Sequence, residues 1–551
     1  MILVLFMTSS DLAIGRGVPG GARLPVPAPS EAPVDAAAAI VAALSDEELV
    51  GQVLMPYFFG DHATEVTAEA TAANQAYARV PTPAELVARY RVAGVILMPH
   101  GGPAETNVSS PAQVRELTAG LQAAAPGSLP LLIGIDQEYG VVARLTEGVT
   151  GLPSAMAAGA AGEPALTEAA WQAAGAELAA LGVNVNFAPV ADVLGDARGG
   201  VIGSRSFGAD PALVAGQVAA AVRGLRHAGV VATLKHFPGH GGTAVDSHHD
   251  LPVLAASRGE LARRDLRPFV EGIAAGAGMV MSGHLDVRAL EPDVPATFSR
   301  PVVTGLLREE LGFAGVAVTD ALNMAPARRW PPGQAAVRAL LAGNDLLLMP
   351  PDLAEAYDGL LAALRDGSLP RERLVSAATR VVGLRLSLAG LPRPDPAVLG
   401  SQPHEAAVAP LAAAAVTLLR GPCDGPLVTG PVTVSAAAGR DVARSRLVEA
   451  LAAAGVEVVD EGGTVVHLVG FGDDRSDLRE DAGVTVAMDT PYLLEKARSP
   501  VLVATYSSSR LSLAALADVL AGRARAPGRS PVPLAGLPAS ACGPAEAAQD
   551  S

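Results

Sequence analysis

The richest concentration of chemically capable side chains runs from Lys235 to Pro252, KHFPGHGGTAVDSHHDLP. It holds one lysine, four histidines (His236, His240, His248, His249) and two aspartates (Asp246, Asp250) among glycines. Three chemistries compete for such a loop. A metal site would use His236 and His240 four apart on one helix face, but Pro238, Gly239, Gly241 and Gly242 break any helix there. No cysteine or H-E-x-x-H accompanies them, so no metal is expected. PGHGG lacks the spacing of a phosphate-binding loop, and no G-x-S-x-G elbow supports a serine hydrolase. The third reading is a proton-transfer dyad, Asp246-Ser247-His248. Residues two apart in an extended loop point to the same side. The Asp246 carboxylate would then fix the imidazole tautomer of His248 and leave its other nitrogen free. Taken alone, a D-x-H pair is more often an ordinary loop hydrogen bond.

A second candidate is Asp320, which ends the apolar run GVAVTD. Its bland reading is the N-cap of a following helix. A carboxylate and a histidine acid/base on one rim suit displacement at an anomeric carbon, the carboxylate forming a glycosyl ester while the partner protonates the leaving oxygen.

These groups need a scaffold that brings distant segments together. Eight short apolar runs recur, at 50–56, 94–99, 131–138, 183–192, 230–237, 279–286, 315–320 and 345–350. Each is nearly continuous in apolar residues, as strands buried on both faces of a parallel sheet are. Helical stretches such as Pro164–Leu181 and Pro211–Ala228 alternate with them. Eight such units predict a (β/α)8 barrel, in which strand carboxyl ends build one cavity. Several runs end in polar residues: Asp136-Gln137-Glu138, Asp192, Lys235-His236, His284 and Asp320. A further α/β layer is predicted from 432–439, 455–460, 464–472, 483–489 and 501–507, with helices over Val442–Ala454 and Leu511–Gly522. Prolines crowd 391–403 and mark a linker. The expected organisation is a flexible tail over 1–34, a catalytic barrel over 35–390, the linker, and a smaller α/β sandwich over 404–551.

Composition narrows the partners. Among 551 residues the net charge is −16, which disfavours binding to nucleic acid. The opening MILVLFM is too short to span a bilayer and carries no basic flank, so a cytoplasmic location is expected, with secretion left open. Cys423 and Cys542 read as buried free thiols. Aromatic residues make up only 3% of the chain, too few for a row of stacking platforms along a polysaccharide. Trp171 reads as core, and Trp330 as core or as a cover over the pocket.

Together the segments LLIGIDQEYGVVARL, GVNVNFAPVADV, GSRSFGAD, KHFPGHGGTAVDSHHDLP, VMSGHLDV, GVAVTDALNM and AGNDLLLMP resemble the family 3 glycoside hydrolases, in particular their β-N-acetylglucosaminidases. The resemblance runs from Ser45 to Met349, and TYSSSRLSLAALADVLAGRARAPGRSPVPL resembles the end of two-domain members. It implies Asp320 as nucleophile and His248 as acid/base oriented by Asp246. It further implies Asp136, Arg144, Arg205, Lys235 and His236 as residues that hydrogen-bond the sugar, with no cofactor. His240 and His249 are expected to support the loop; Asp192 and His284 read as either supporting or structural. Ser507–Arg510 either approaches the barrel mouth or is purely structural. The implied activity is a retaining exo-β-N-acetylglucosaminidase on small glycans such as muropeptide fragments or chitooligosaccharides. A β-glucosidase, β-xylosidase or phosphorylase on the same scaffold, or an inactive carbohydrate-binding protein, remains the alternative. One departure stands out. Where the family commonly reads E-G-G-R-V, this chain reads Glu138-Tyr139-Gly140-Val141-Val142.

Overall fold

The computed structural model describes residues 31–99, 106–195, 200–243 and 250–543. Eight strands build its larger layer: β1 (Leu54–Met55), β2 (Gly94–Leu97), β3 (Leu132–Ile135), β4 (Val185–Asn186), β5 (Val231–Phe237), β6 (Met279–Ser282), β7 (Val316–Thr319) and β8 (Leu347–Leu348). One falls inside each of the eight apolar runs. Every residue in them is buried, which is why the runs lack polar alternation. Strands β2 to β7 pair in parallel and in sequence order, and β1 pairs with β8. A parallel bridge from Val318 to Leu346 joins β7 to the start of β8. On the other side the Ile96 amide donates to Pro56 O at 3.0 Å, so the strands run round a ring.

Met55, Ile96, Phe187, Met279, Met281 and Leu348 fill the ring. Gly134 makes room for them: a Cβ there would lie 2.7 Å from both Met55 and Phe187. The outer helices start at clear signals. Pro211–His227 opens on proline with Asp210 capping Ala212 N, and Pro111–Ala124 has Ser110 capping Gln113 N.

The second layer has five strands: β9 (Thr417–Arg420), β10 (Val432–Ala436), β11 (Thr464–Val469), β12 (Val484–Ala487) and β13 (Val501–Ala504). Their order is β9-β13-β12-β11-β10, parallel except that β9 runs antiparallel to β13. Side chains alternate between two cores. Val484, Val486, Val501 and Val503 face the helices Asp441–Ala453 and Arg510–Leu520. Ala487, Leu502 and Ala504 face the barrel, meeting Met156, Ala157 and Ile202. The sheet is thus covered on one side by its own helices and on the other by the barrel.

Three expectations change here. GVEVVD (455–460) is no strand; it contributes one parallel bridge, Val458 to Val432. The strand that completes the sheet is β9, hidden in sequence because TLLR continues directly from the helix Gln402–Ala415. The cysteines are not free thiols: Cys423 and Cys542 form a disulfide with Cα atoms 5.4 Å apart. A sequence separation of 119 gave no hint of this, because the pairing depends on where the C-terminal segment returns. It doubles back along β9, with Gly528 N donating to Val416 O and Ala541 N to Leu418 O.

Candidate active site

At the carboxyl ends of the barrel strands lies a cavity of about 310 Å³. Asp136 follows β3, Lys235 and His236 lie in β5, and Asp320 follows β7; all line it. Arg144 enters from the loop after β3, and Arg205 from a 3-10 turn, Gly203–Arg205. The six described candidates are therefore gathered around one space. Asp246 and His248, with His249, lie outside the described residues.

The floor of the cavity is an ion cluster. Lys235 Nζ donates to Asp136 Oδ1 at 2.7 Å and stands 2.6 Å from Glu138 Oε1. Arg205 grips Glu138 bidentately, Nε to Oε2 at 2.7 Å and a terminal nitrogen to Oε1 at 3.0 Å. Arg144 approaches Asp136 at 3.9 Å. Lys235 is 3% exposed and Glu138 4%, so neither charge survives there without the other. Burial opposes ionisation of Glu138, yet Arg205 and Lys235 hold it well below the carboxylate range. Burial likewise opposes the charge of Lys235, and Asp136 and Glu138 more than offset it, so the ammonium is held above its ordinary value. Fixed opposite charges in a closed pocket make directional partners for hydroxyl groups.

A second set orients the histidines. Asp192 accepts from His236 Nδ1 at 2.8 Å, from the His236 amide at 3.1 Å and from the His240 amide at 2.7 Å. With Nδ1 bound to the carboxylate, His236 presents Nε2 toward Arg205, 3.4 Å away. Asp192 is thus a supporting residue. His284 also supports: its Nε2 meets Ala321 O at 3.0 Å, next to Asp320, and its Nδ1 meets Thr297 Oγ1 at 2.9 Å. The Asp320 amide donates to Ser282 O at 3.0 Å, and its own Oδ1 accepts from the Ala321 amide at 2.8 Å. His240 is 1% exposed, and burial drives its pKa down to about 4. Its Nδ1 meets Thr243 Oγ1 at 2.6 Å.

Glu138, two residues beyond Asp136 at the same strand end, joins the site as well, and that spacing of two is its sequence signal. Trp330 does not line the cavity. It packs edge-on to Phe298 at 4.7 Å, with the Arg338 guanidinium over its ring.

The glycosyl hydrolase family 3 N-terminal domain matches residues 47–384. The chain belongs to that family. β-Hexosaminidase A of Pseudoalteromonas piscicida is 39% identical over 371 residues, covering 61% of this chain and 61% of that protein. A large part of that relative thus has no counterpart in the alignment. A β-hexosaminidase of Stenotrophomonas maltophilia (strain K279a) is 41% identical over 298 residues, 52% of this chain and 84% of the relative. The structure of a family 3 β-N-acetylglucosaminidase from Paenibacillus sp. str. FPU-7 superposes with a TM-score of 0.78 at 34% identity, covering 89% of this chain and 99% of that one.

The departure from the family 3 pattern now has a physical setting. Tyr139 adopts φ +67°, a left-handed conformation that favours the glycine usual in the family. Its ring is 5% exposed and meets Trp171 edge-on at 5.8 Å, so burial offsets the backbone cost and the side chain packs beneath the rim. Along 138–144 the chain forms a wall between two spaces. Glu138, Val142 and Arg144 face the small cavity. Tyr139, Val141 and Ala143 face a larger one, about 780 Å³, between the barrel and the second sheet. Ser507–Arg510 lines that larger space and not the small one.

Proposed function

We propose that this chain is a retaining exo-β-N-acetylglucosaminidase that removes terminal β-linked GlcNAc from small glycans. The observation that carries the reading is Asp320 opening into the same cavity as the Lys235–Asp136 pair. A cavity of about 310 Å³ suits one terminal sugar residue better than a long chain. The names of the relatives, β-hexosaminidase and β-N-acetylglucosaminidase, support the acetamido sugar as substrate.

In this reading Asp136, Lys235, His236, Arg144 and Arg205 orient the sugar hydroxyls. The Asp320 carboxylate attacks the anomeric carbon as the bond to the leaving oxygen breaks, and His248 gives that oxygen its proton. Water then attacks the glycosyl ester; His248 takes its proton, and Asp320 leaves as carboxylate. Asp246 orients His248 throughout. The Cys423–Cys542 bridge supports work in an oxidising compartment rather than the cytoplasm expected from the sequence.

The test is kcat/KM on p-nitrophenyl β-N-acetylglucosaminide and on the matching β-glucoside, with and without phosphate. Preference for the acetamido sugar, unaffected by phosphate, is expected. Preference for the glucoside moves the assignment to glucosidase, and phosphate-dependent release of sugar 1-phosphate moves it to phosphorylase.

A further inference from the structure

Arg205 reaches the sugar cavity from a three-residue 3-10 turn, Gly203–Arg205, which belongs to no barrel strand. A turn this short has little hydrogen bonding of its own to hold it. Barrel groups hold part of it, with the Leu194 amide donating to Gly208 O at 2.9 Å, and contacts from outside the barrel hold the rest. Ser204, 2% exposed, donates its hydroxyl to Oδ1 of Asp489, which follows β12 in the second sheet. Four residues beyond Arg205, the Ala209 amide donates to Pro531 O at 3.0 Å, and Arg529 N donates to Ala160 O at 3.0 Å. Pro531 also packs so closely on Gly208 that a Cβ there would lie 2.7 Å from its carbonyl oxygen. The segment 203–209 is therefore gripped at both ends by the C-terminal half of the chain.

The same segment leads back into the site by two routes. Arg205 itself is bidentate on Glu138. Ser206 Oγ donates to the backbone oxygen of Asp192 at 2.6 Å, and the Asp192 carboxylate holds His236.

Asp489 is 6% exposed. A buried carboxylate is a costly way to join two surfaces that apolar contacts would join as well, and the neighbouring contact between Ala487 and the barrel side chains is apolar. A carboxylate oxygen differs in being directional, setting the orientation of the one hydroxyl it accepts from.

We propose that Asp489 is a positioning residue for sugar binding: by holding Ser204 it keeps the Arg205 guanidinium aligned on Glu138, so the second domain completes the site without contributing a reacting group. This rests on the reading of Arg205 as a sugar contact.

The test uses the full chain and p-nitrophenyl β-N-acetylglucosaminide. Asp489→Ala should raise KM about tenfold, the size of one lost hydrogen bond to a charged group, with a smaller change in kcat. Asp489→Asn, whose amide oxygen still accepts from Ser204, should restore KM to within about threefold of the parent. Ser204→Ala should match Asp489→Ala, and the double variant should be no worse than either alone. If Asp489→Ala does not fold, Ser204→Ala and Asp489→Asn carry the comparison. A lowered Tm with unchanged KM, or an Asn variant no better than Ala, overturns the proposal. A parent enzyme silent on every sugar overturns the sugar-site reading first, and the proposal falls with it.

Discussion

Two cavities in this molecule are built to the same plan and filled differently. Both lie at the carboxyl ends of parallel strands, where helices and loops leave backbone and side chains open to a crevice. The barrel's cavity is lined by Asp136, Glu138, Lys235, Arg205 and Asp320. The larger space at the ends of β10 to β13 exposes Val141, Val442 and Phe471, at 41%, 65% and 55%. Its arginines are turned to local partners: Arg440 to Asp473, and Arg510 to Glu405. Strand-end geometry thus opens a crevice in both layers, and what sets the barrel's apart is the paired buried charges with the Asp320 carboxylate beside them. In the second sheet the strand-end carboxylate Asp489 is turned onto Ser204 of the barrel instead.

The contrast is broken most severely at Asp320. Asp320→Asn should lower kcat by about 10⁴-fold or more while thermal unfolding hardly moves, since the side chain lies at the cavity and not in a packed core. A loss below tenfold would remove Asp320 from the nucleophile role.

Next comes the buried ion cluster. Glu138→Gln leaves Lys235 and Arg205 short of one negative charge in a buried setting. Urea unfolding should show a loss of about 3–5 kcal/mol, the range for stranding a buried charge. A neutral result would mean that water reaches the cluster freely.

The second domain is expected to respond to a covalent change rather than an electrostatic one. Replacing Cys423 and Cys542 together by serine should cost about 2–4 kcal/mol of stability, and dithiothreitol should reproduce the loss in the parent. Equal stability with and without reductant would argue against a stabilising bridge.

The smallest effect is a pH dependence. Burial holds native His240 at about 4, against 6.5 for the exposed ring. Between those values the unfolded chain binds a proton that the native chain refuses. Stability is therefore full above pH 6.5 and falls as pH drops toward 4, by at most about 3 kcal/mol. Chemical denaturation across that window should be flatter in His240→Asn, and parallel slopes would refute the assignment.

Much of the barrel was legible because burial on both faces leaves an unmistakable mark. Eight continuous apolar runs became eight strands, and Pro211–His227 began at the proline and aspartate that announce a helix. In the second sheet the signal weakened where elements abut: β9 follows the helix Gln402–Ala415 with no breaker between them, and VEVV looked like a strand yet made a single bridge. Among the site residues, Lys235 and His236 were marked by a polar ending to an apolar strand. Glu138 was obscured because Glu is ordinary in a loop; its place in a buried ion cluster appears only once the fold brings up Lys235 at 2.6 Å and Arg205, 67 positions away, at 2.7 Å.

By itself, then, the sequence determined the barrel's strands and the inventory of reactive groups, because periodicity, caps and strand ends are local properties of a chain. Tertiary structure alone decided the pairings. Cys423 meets Cys542 because the terminal segment runs back along β9, and Ser204 meets Asp489 across 285 positions because one face of the second sheet packs on the barrel. Such contacts are fixed by the closure of whole layers on one another, and no short stretch of residues encodes them.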